Sequence, residues 1–215
     1  MRKVRSWLFK GRLLFFSAMI VVSPSADQKS ISRFLFGNNM EHVYGNEFNR
    51  IKSAVVRDCN GLITVLRFPG GLLSDKYFWS DEIGLQSSQL GTREIVNFCR
   101  DINAEPLFTV NLKTGSPQLA QRWVAFCNLP SVPDLVQNTD FVVLFNRIRN
   151  RKLINEVAIK DFSSLRAFCG DEKPYNVKFW EIGNEIYLDP AYKSQDYALK
   201  VKEFSKAMEQ GDPIS

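Results

Sequence analysis

The stretch KFWEIGNEIYLDP, residues 178–190, sets two glutamates, Glu181 and Glu185, on either side of Gly183-Asn184. A glutamic acid whose surroundings raise its pKa can deliver and retrieve a proton at a reacting atom. An amide just before it, Asn184, offers both a donor and an acceptor to a hydroxyl-rich ligand. Asn38, Asn39, Glu41 and His42 follow one apolar run, Arg67 stands near the end of a second, and Asn111 ends a third. Carboxylates, amides, an arginine and aromatics, with no metal or nucleotide motif beside them, suit carbohydrate chemistry. Glycoside hydrolysis typically uses two carboxyl groups, one protonating the leaving oxygen and the other serving as nucleophile or as base for water. Each polar residue taken singly reads more readily as a surface hydrogen bond. Four sets at successive strand ends favour a site.

The elements that must position these residues follow from the patterning. FLFGN (34–38), LITVLRF (62–68), EPLFTVN (105–111) and VKFWEIG (177–183) are short apolar runs rich in β-branched and aromatic residues, and read as strands. Between them, apolar residues recur at helical spacing: Phe48, Ile51, Val55 and Cys59; then Ile95, Val96, Cys99 and Ile102. Ser116-Pro117 supplies an N-cap and a first helical residue for SPQLAQRWVAFCN, and SQDYALKVKEFSKAM (194–208) closes the series with Tyr197, Val201, Phe204 and Met208 on one face. This β-α alternation predicts a parallel sheet covered by helices. A doubly wound sheet would be expected to carry a phosphate-binding glycine motif at a strand–helix turn, and none occurs. The other parallel solution is the (β/α)8 TIM barrel, whose active sites lie at the C-terminal strand ends, where the polar residues fall.

Composition narrows the function classes. With 45% hydrophobic and 24% charged residues the chain is long enough and apolar enough for one sizeable domain. The net charge of +5 is spread out, apart from RIRNRK (147–152), which has no aromatics interleaved; no nucleic-acid partner is expected. Four cysteines without CxxC spacing and a single histidine argue against a zinc site, so no metal and no cofactor are expected. Buried thiols are the default reading of the cysteines.

The N-terminus has two open readings. A basic start, the apolar run 13–22 and the small residues SPSA have the shape of a signal peptide, while Pro24 fits the cleavage site badly and AMIVV suits a buried strand equally. The run is too short to span a bilayer, so no membrane partner is expected, and secretion against a cytoplasmic location stays open.

WEIGNE (180–185) resembles the strand-four signature of the retaining clan of barrel glycosidases, in which Asn-Glu carries the acid/base. More specifically, FGNNMEH (36–42), LRFPGGLLSDKYFWSDEIG (66–84), EPLFTVNLKTGSPQLAQRWVAFCN (105–128) and PYNVKFWEIGNE (174–185) are similar, in order, to motifs of glycoside hydrolase family 51 α-L-arabinofuranosidases. The resemblance implies that Glu185 is the acid/base, that Asn184 bonds a sugar hydroxyl, that Glu41 holds arabinose hydroxyls, that Arg67 orients the nucleophile carboxylate, and that Trp79 lines the sugar pocket. Asn111, ending the third strand, joins this substrate-binding set. Core packing suits Trp79 equally, and Glu181 reads as a structural pairing. The implied partner is an arabinose-containing oligo- or polysaccharide.

Departures from the family pattern are also legible. Leu72 follows RFPGG where the family usually has a sugar-binding Asn, and Leu85 stands for the usual Pro. Stretch 129–162 has no clear counterpart and reads as an insertion or an artefact of the gene sequence. The resemblance places about four β/α units, within 18–215 after an extension or signal over 1–17, and puts the nucleophilic Glu on a seventh strand beyond Ser215. The chain is therefore expected to be an inactive fragment. Alternatives are a clan-related glycosidase acting on xylosides or glucosides, and a non-catalytic degenerate relative.

Overall fold

The computed structural model describes residues 32–41, 45–83, 90–138 and 140–212. The signal-shaped segment, His42 and Leu85 lie outside these residues. Four parallel strands, β1 (Gly37–Asn39), β2 (Val65–Phe68), β3 (Glu105–Val110) and β4 (Phe179–Ile182), pair in sequence order. In register, Asn39 lies beside Arg67, Arg67 beside Leu107 and Thr109 beside Glu181. Helices α1 (Gly45–Cys59), α2 (Thr92–Asp101) and α3 (Pro117–Asn128) lie one in each of the three crossovers, and α7 (Ser194–Glu209) follows β4.

The period-two alternation of the strands divides the sheet into two chemistries. Leu66, Phe68, Phe108 and Trp180 pack into the main core with Trp123 of α3, whereas Arg67, Thr109 and Glu181 bond one another on the other side. Trp123 stacks on Phe108 at 4.9 Å between centroids and meets Trp180 edge-on at 5.4 Å. Its indole N–H donates to Thr92 Oγ1 at 3.0 Å, so the one polar atom of this large ring is satisfied within the core. Ser116 Oγ accepts from Leu119 N and caps α3, with Pro117 at the first helical position, as the sequence predicts.

Three local expectations shift. The first strand begins at Gly37, because Ser32 Oγ accepts from Phe34 N and closes a 3-10 turn over Arg33–Leu35. The second begins at Val65, since Ile63 N still donates to Cys59 O at the end of α1. In α1, Phe48 is buried but Ile51 is exposed, so the apolar stripe is narrower than its spacing suggests.

Stretch 129–162 carries α4 (Pro133–Asn138), α5 (Phe141–Arg149), a 3-10 turn over Arg151–Glu156 and the start of α6 (Ile159–Phe168). Asp140 Oδ1 accepts from Val142 N and Val143 N and caps α5. Phe141, Leu144, Ile148, Ile154, Val157 and Phe162 join the main core. The buried Arg122 of α3 donates to Asn155 O and Val157 O, fastening the stretch to the barrel-side helix. Cys99, Cys127 and Cys169 are buried and Cys59 is half-buried, all as free thiols. Burial pushes the Cys99 thiol up to about 12 and the Cys169 thiol up to about 11, which keeps both protonated and unreactive. Among the described residues no helix is long and apolar enough to cross a membrane.

Candidate active site at the strand ends

Arg67 is the hub of the polar rim. It projects from β2 on the face away from the helices, and its planar fork reaches both sheet neighbours. Nε donates to Glu181 Oε2 at 2.5 Å, Nη1 to Asn39 Oδ1 at 2.9 Å and Nη2 to Asn184 Oδ1 at 2.9 Å. Thr109 Oγ1 donates to the same Glu181 oxygen at 2.8 Å, so all four strands contribute to one hydrogen-bonded group. Glu181 is thereby held as a structural partner of Arg67, the reading its alternation favours.

The glycine pair after β2 gives this group its room. A Cβ on Gly70 would overlap the Asn39 amide, and one on Gly71 would overlap Glu41 Oε1. Gly70 N donates to Met40 O and Met40 N to Arg67 O, which seats the end of β1 against the turn. Gly-Gly is thus what lets Asn39 and Glu41 lie against backbone.

Beyond β4 the chain turns sharply. Gly183 has φ 77°, and a side chain there would press on Ile186 and Leu112. Asn184 is only 5% exposed; its Oδ1 is taken by Arg67, and its Nδ2 is buried with no protein partner. Glu185 follows in the left-handed region, φ 46° and ψ 39°, with its side chain exposed. A glutamate in that conformation costs on the order of 1–2 kcal/mol and persists only where its surroundings impose it. Here Leu188 N donates to Glu185 O at 2.9 Å, and Tyr187 Oη stands 3.4 Å from Glu185 Oε1.

Arg67 thus joins Asn39, which lies against Gly70, to Asn184; Glu41 lies against Gly71, and Glu185 follows Asn184 in the chain. Asn111 and Trp79 are both buried. Asn111 is buried, with Oδ1 accepting from Thr114 N and Gly115 N and Nδ2 donating to Tyr77 O, so it shapes the loop after β3. Trp79 is 2% exposed, stacked on Trp123, with Nε1 donating to Leu119 O at 3.0 Å. Its ring joins the main core. Leu72 is 69% exposed on the same turn as Gly71. Thr109 escapes a sequence reading that takes its strand as apolar, although a lone hydroxyl two residues from Leu107 was the available signal. Lys113, Asp75 and Asp189 also escape it, because their meeting depends on three loops.

Among the described residues no cluster of three or more His, Cys, Asp or Glu side chains is arranged to hold a metal ion. A cavity of about 780 Å³ lies elsewhere, on the helix side of β4, lined by Val124, Trp180, Ile182 and Met208 among others. It shares no residue with the Arg67 group.

A family model described as "Alpha-L-arabinofuranosidase 1 domain" matches residues 62–214. The chain is 27% identical over 188 residues to a probable alpha-L-arabinofuranosidase C of Aspergillus fumigatus, covering 78% of this chain and 31% of that protein. It is 25% identical over 230 residues to an intracellular exo-alpha-(1->5)-L-arabinofuranosidase of Acetivibrio thermocellus, covering 91% and 40%. Among solved structures, the thermostable GH51 alpha-L-arabinofuranosidase from Thermotoga petrophila matches with a TM-score of 0.60 and 27% identity, over 86% of this chain and 40% of that one. An arabinofuranosidase crystal structure matches with a TM-score of 0.64 and 28% identity over the same shares. The chain thus spans between 31% and 40% of the length of these relatives.

Proposed function

We propose, for a chain that belongs to the alpha-L-arabinofuranosidase domain family and whose four β/α units are part of a (β/α)8 barrel, that it carries the acid/base side of a retaining arabinofuranosidase site. The substrate is a terminal α-L-arabinofuranosyl group on an arabinose-containing oligo- or polysaccharide. The observation that carries this reading is the Arg67–Asn184 pair beside Glu185. Arg67 fixes the Asn184 amide by its oxygen, which leaves a buried, unpartnered N–H2 next to the turn that presents an exposed carboxyl group. A buried donor without a partner is costly, and a sugar hydroxyl satisfies it.

In this reading Glu185 protonates the glycosidic oxygen as the bond from the anomeric carbon to that oxygen breaks. A carboxylate on the opposite side of the sugar forms the glycosyl ester. Glu185, now ionised, takes a proton from water as the water displaces the ester, and configuration is retained. Glu41 accepts hydrogen bonds from arabinose hydroxyls. Arg67, besides fixing Asn184, orients the nucleophile. Asn111 and Trp79 serve the site from behind, by shaping the loop after β3 and by packing beneath it. Glu181 is engaged by both Arg67 and Thr109, and the resemblance to the family implies that the nucleophile stands on the seventh strand of the barrel.

The test is hydrolysis of aryl α-L-arabinofuranosides by the protein that carries this chain within a complete barrel. Glu185→Ala is expected to lower kcat/KM for a poor leaving group by roughly a hundredfold or more, the usual share of a general acid. Azide should restore turnover by standing in for the base-activated water. An unchanged kcat/KM overturns the reading. A second reading, a sugar-binding relative without turnover, is favoured by the exposed Leu72 where the family pattern has an amide. Arabinose binding without hydrolysis would select it.

A further inference from the structure

Three loops at the strand ends are clasped by one lysine. Lys113 leaves the loop after β3, and its Nζ lies 3.2 Å from Asp75 Oδ2 and 3.3 Å from Asp189 Oδ2. Asp75 ends the 3-10 turn Gly71–Asp75, whose first residue seats Glu41. Its side chain is 8% exposed, and its other oxygen is buried without a partner, so the ammonium is what neutralises it. Asp189 closes the turn that Glu185 opens: its N–H donates to Ile186 O at 3.1 Å, and its Oδ1 accepts from Ala191 N at 3.0 Å.

We propose that Lys113 is a positioning residue for Glu185, acting through Asp189, and that the clasp fixes the direction from which the acid reaches the leaving oxygen. The inference rests on the function proposed above. Glu185 sits in a backbone conformation that glutamate does not choose unaided, so the turn must be held at both ends. The near end is held by Asn184 on Arg67 and by Ile186, buried against Gly183. The far end is held by Asp189 on Lys113, which is anchored in turn on the buried Asp75. Without the ammonium, two carboxylates on neighbouring loops lose the cation they share, and the far end of the turn is released. Proton delivery depends on the placement of the acid to a fraction of an ångström, so loss of the clasp falls first on the step that needs the proton.

Lys113→Met removes the charge and keeps the length; Lys113→Arg keeps the charge. Two measurements on the same protein, with its barrel complete, test the proposal. Hydrogen–deuterium exchange over residues 186–192 is expected to quicken about fivefold in Lys113→Met, the scale of one partly screened ion pair, with α2 unaffected. Kinetically, kcat/KM for a para-methoxyphenyl arabinofuranoside should fall about tenfold, while that for a dinitrophenyl arabinofuranoside, whose leaving group departs without a proton, stays within about twofold. Lys113→Arg should restore both. Unchanged exchange overturns the clasp. An equal fall for both leaving groups overturns the positioning role and leaves Lys113 a general support of the fold. If Glu185→Ala has no effect on the wild-type rates, the proposed function itself fails, and the role given to Lys113 fails with it, while exchange still decides whether the clasp exists.

Discussion

Arg67 and Asn184 are 117 positions apart in the chain and 2.9 Å apart between Nη2 and Oδ1. That bond joins β2 to the turn after β4, across β3, and it is the reason a single arginine can organise the whole rim. The bond also fixes which way round the Asn184 amide sits, because an arginine can only donate.

Replacing Arg67 by methionine should therefore be felt in stability as well as in the site. Asn184 Oδ1 would join its Nδ2 as a buried atom without a partner, at a cost of about 1–3 kcal/mol. Urea denaturation followed by tryptophan fluorescence measures this. A variant as stable as the wild type would show that the Asn184 oxygen finds another donor.

Gly71→Ala separates geometry from folding. Its φ of 64° disfavours any side chain, and the added methyl would overlap the Glu41 carboxylate. A stability loss of about 1–2 kcal/mol is expected from the backbone alone. Arabinose affinity, measured by calorimetry on the protein with its barrel complete, should weaken further because Glu41 is displaced. Intact affinity would detach Glu41 from sugar binding.

Trp79→Phe decides between the two roles open to that residue. Its indole N–H donates to Leu119 O and its ring stacks on Trp123 at 6.1 Å. Core placement predicts a loss of about 1–2 kcal/mol, from one buried carbonyl left bare and a smaller ring, with KM unchanged. A raised KM at unchanged stability would return Trp79 to the sugar pocket.

The clasp has a pH signature of two signs. Lys113 is held above its ordinary value of 10.5, chiefly by Asp75, so its contribution is complete below that value and is lost as pH rises through the raised pKa. Asp189 is held below its ordinary 3.8, first by the Ala191 N–H and then by Lys113, so its contribution is present above that value and is lost as pH falls through the lowered pKa. Between about pH 4 and pH 10 neither group titrates and the clasp should be constant. Carbon-detected NMR of the Asp189 carboxyl in Lys113→Met should show its pKa moving only part of the way back, because the Ala191 N–H remains. A full return would assign the whole effect to the lysine.

Much of this architecture is local and so belongs to the sequence. The alternation of EPLFTV and VKFWEI already states which side of each strand meets the helices, and the spacing of Ile95, Val96, Cys99 and Ile102 states which face of α2 is buried; all four are. Ser116-Pro117 marks the start of α3, and Glu-by-alternation places Glu181 opposite Trp180. The order of four polar strand ends is likewise legible, because a parallel sheet delivers every strand's C-terminus to the same rim. What the sequence could not supply is distance between loops. The sharing of Arg67 among Asn39, Glu181 and Asn184, the burial of Trp79 under Trp123, the helices packed from 129–162, and the meeting of Asp75, Lys113 and Asp189 all depend on where separate turns come to rest. Periodicity constrains the face a side chain takes on its own element; only the closed packing of the elements on one another decides which side chains, dozens of positions apart, end within bonding reach.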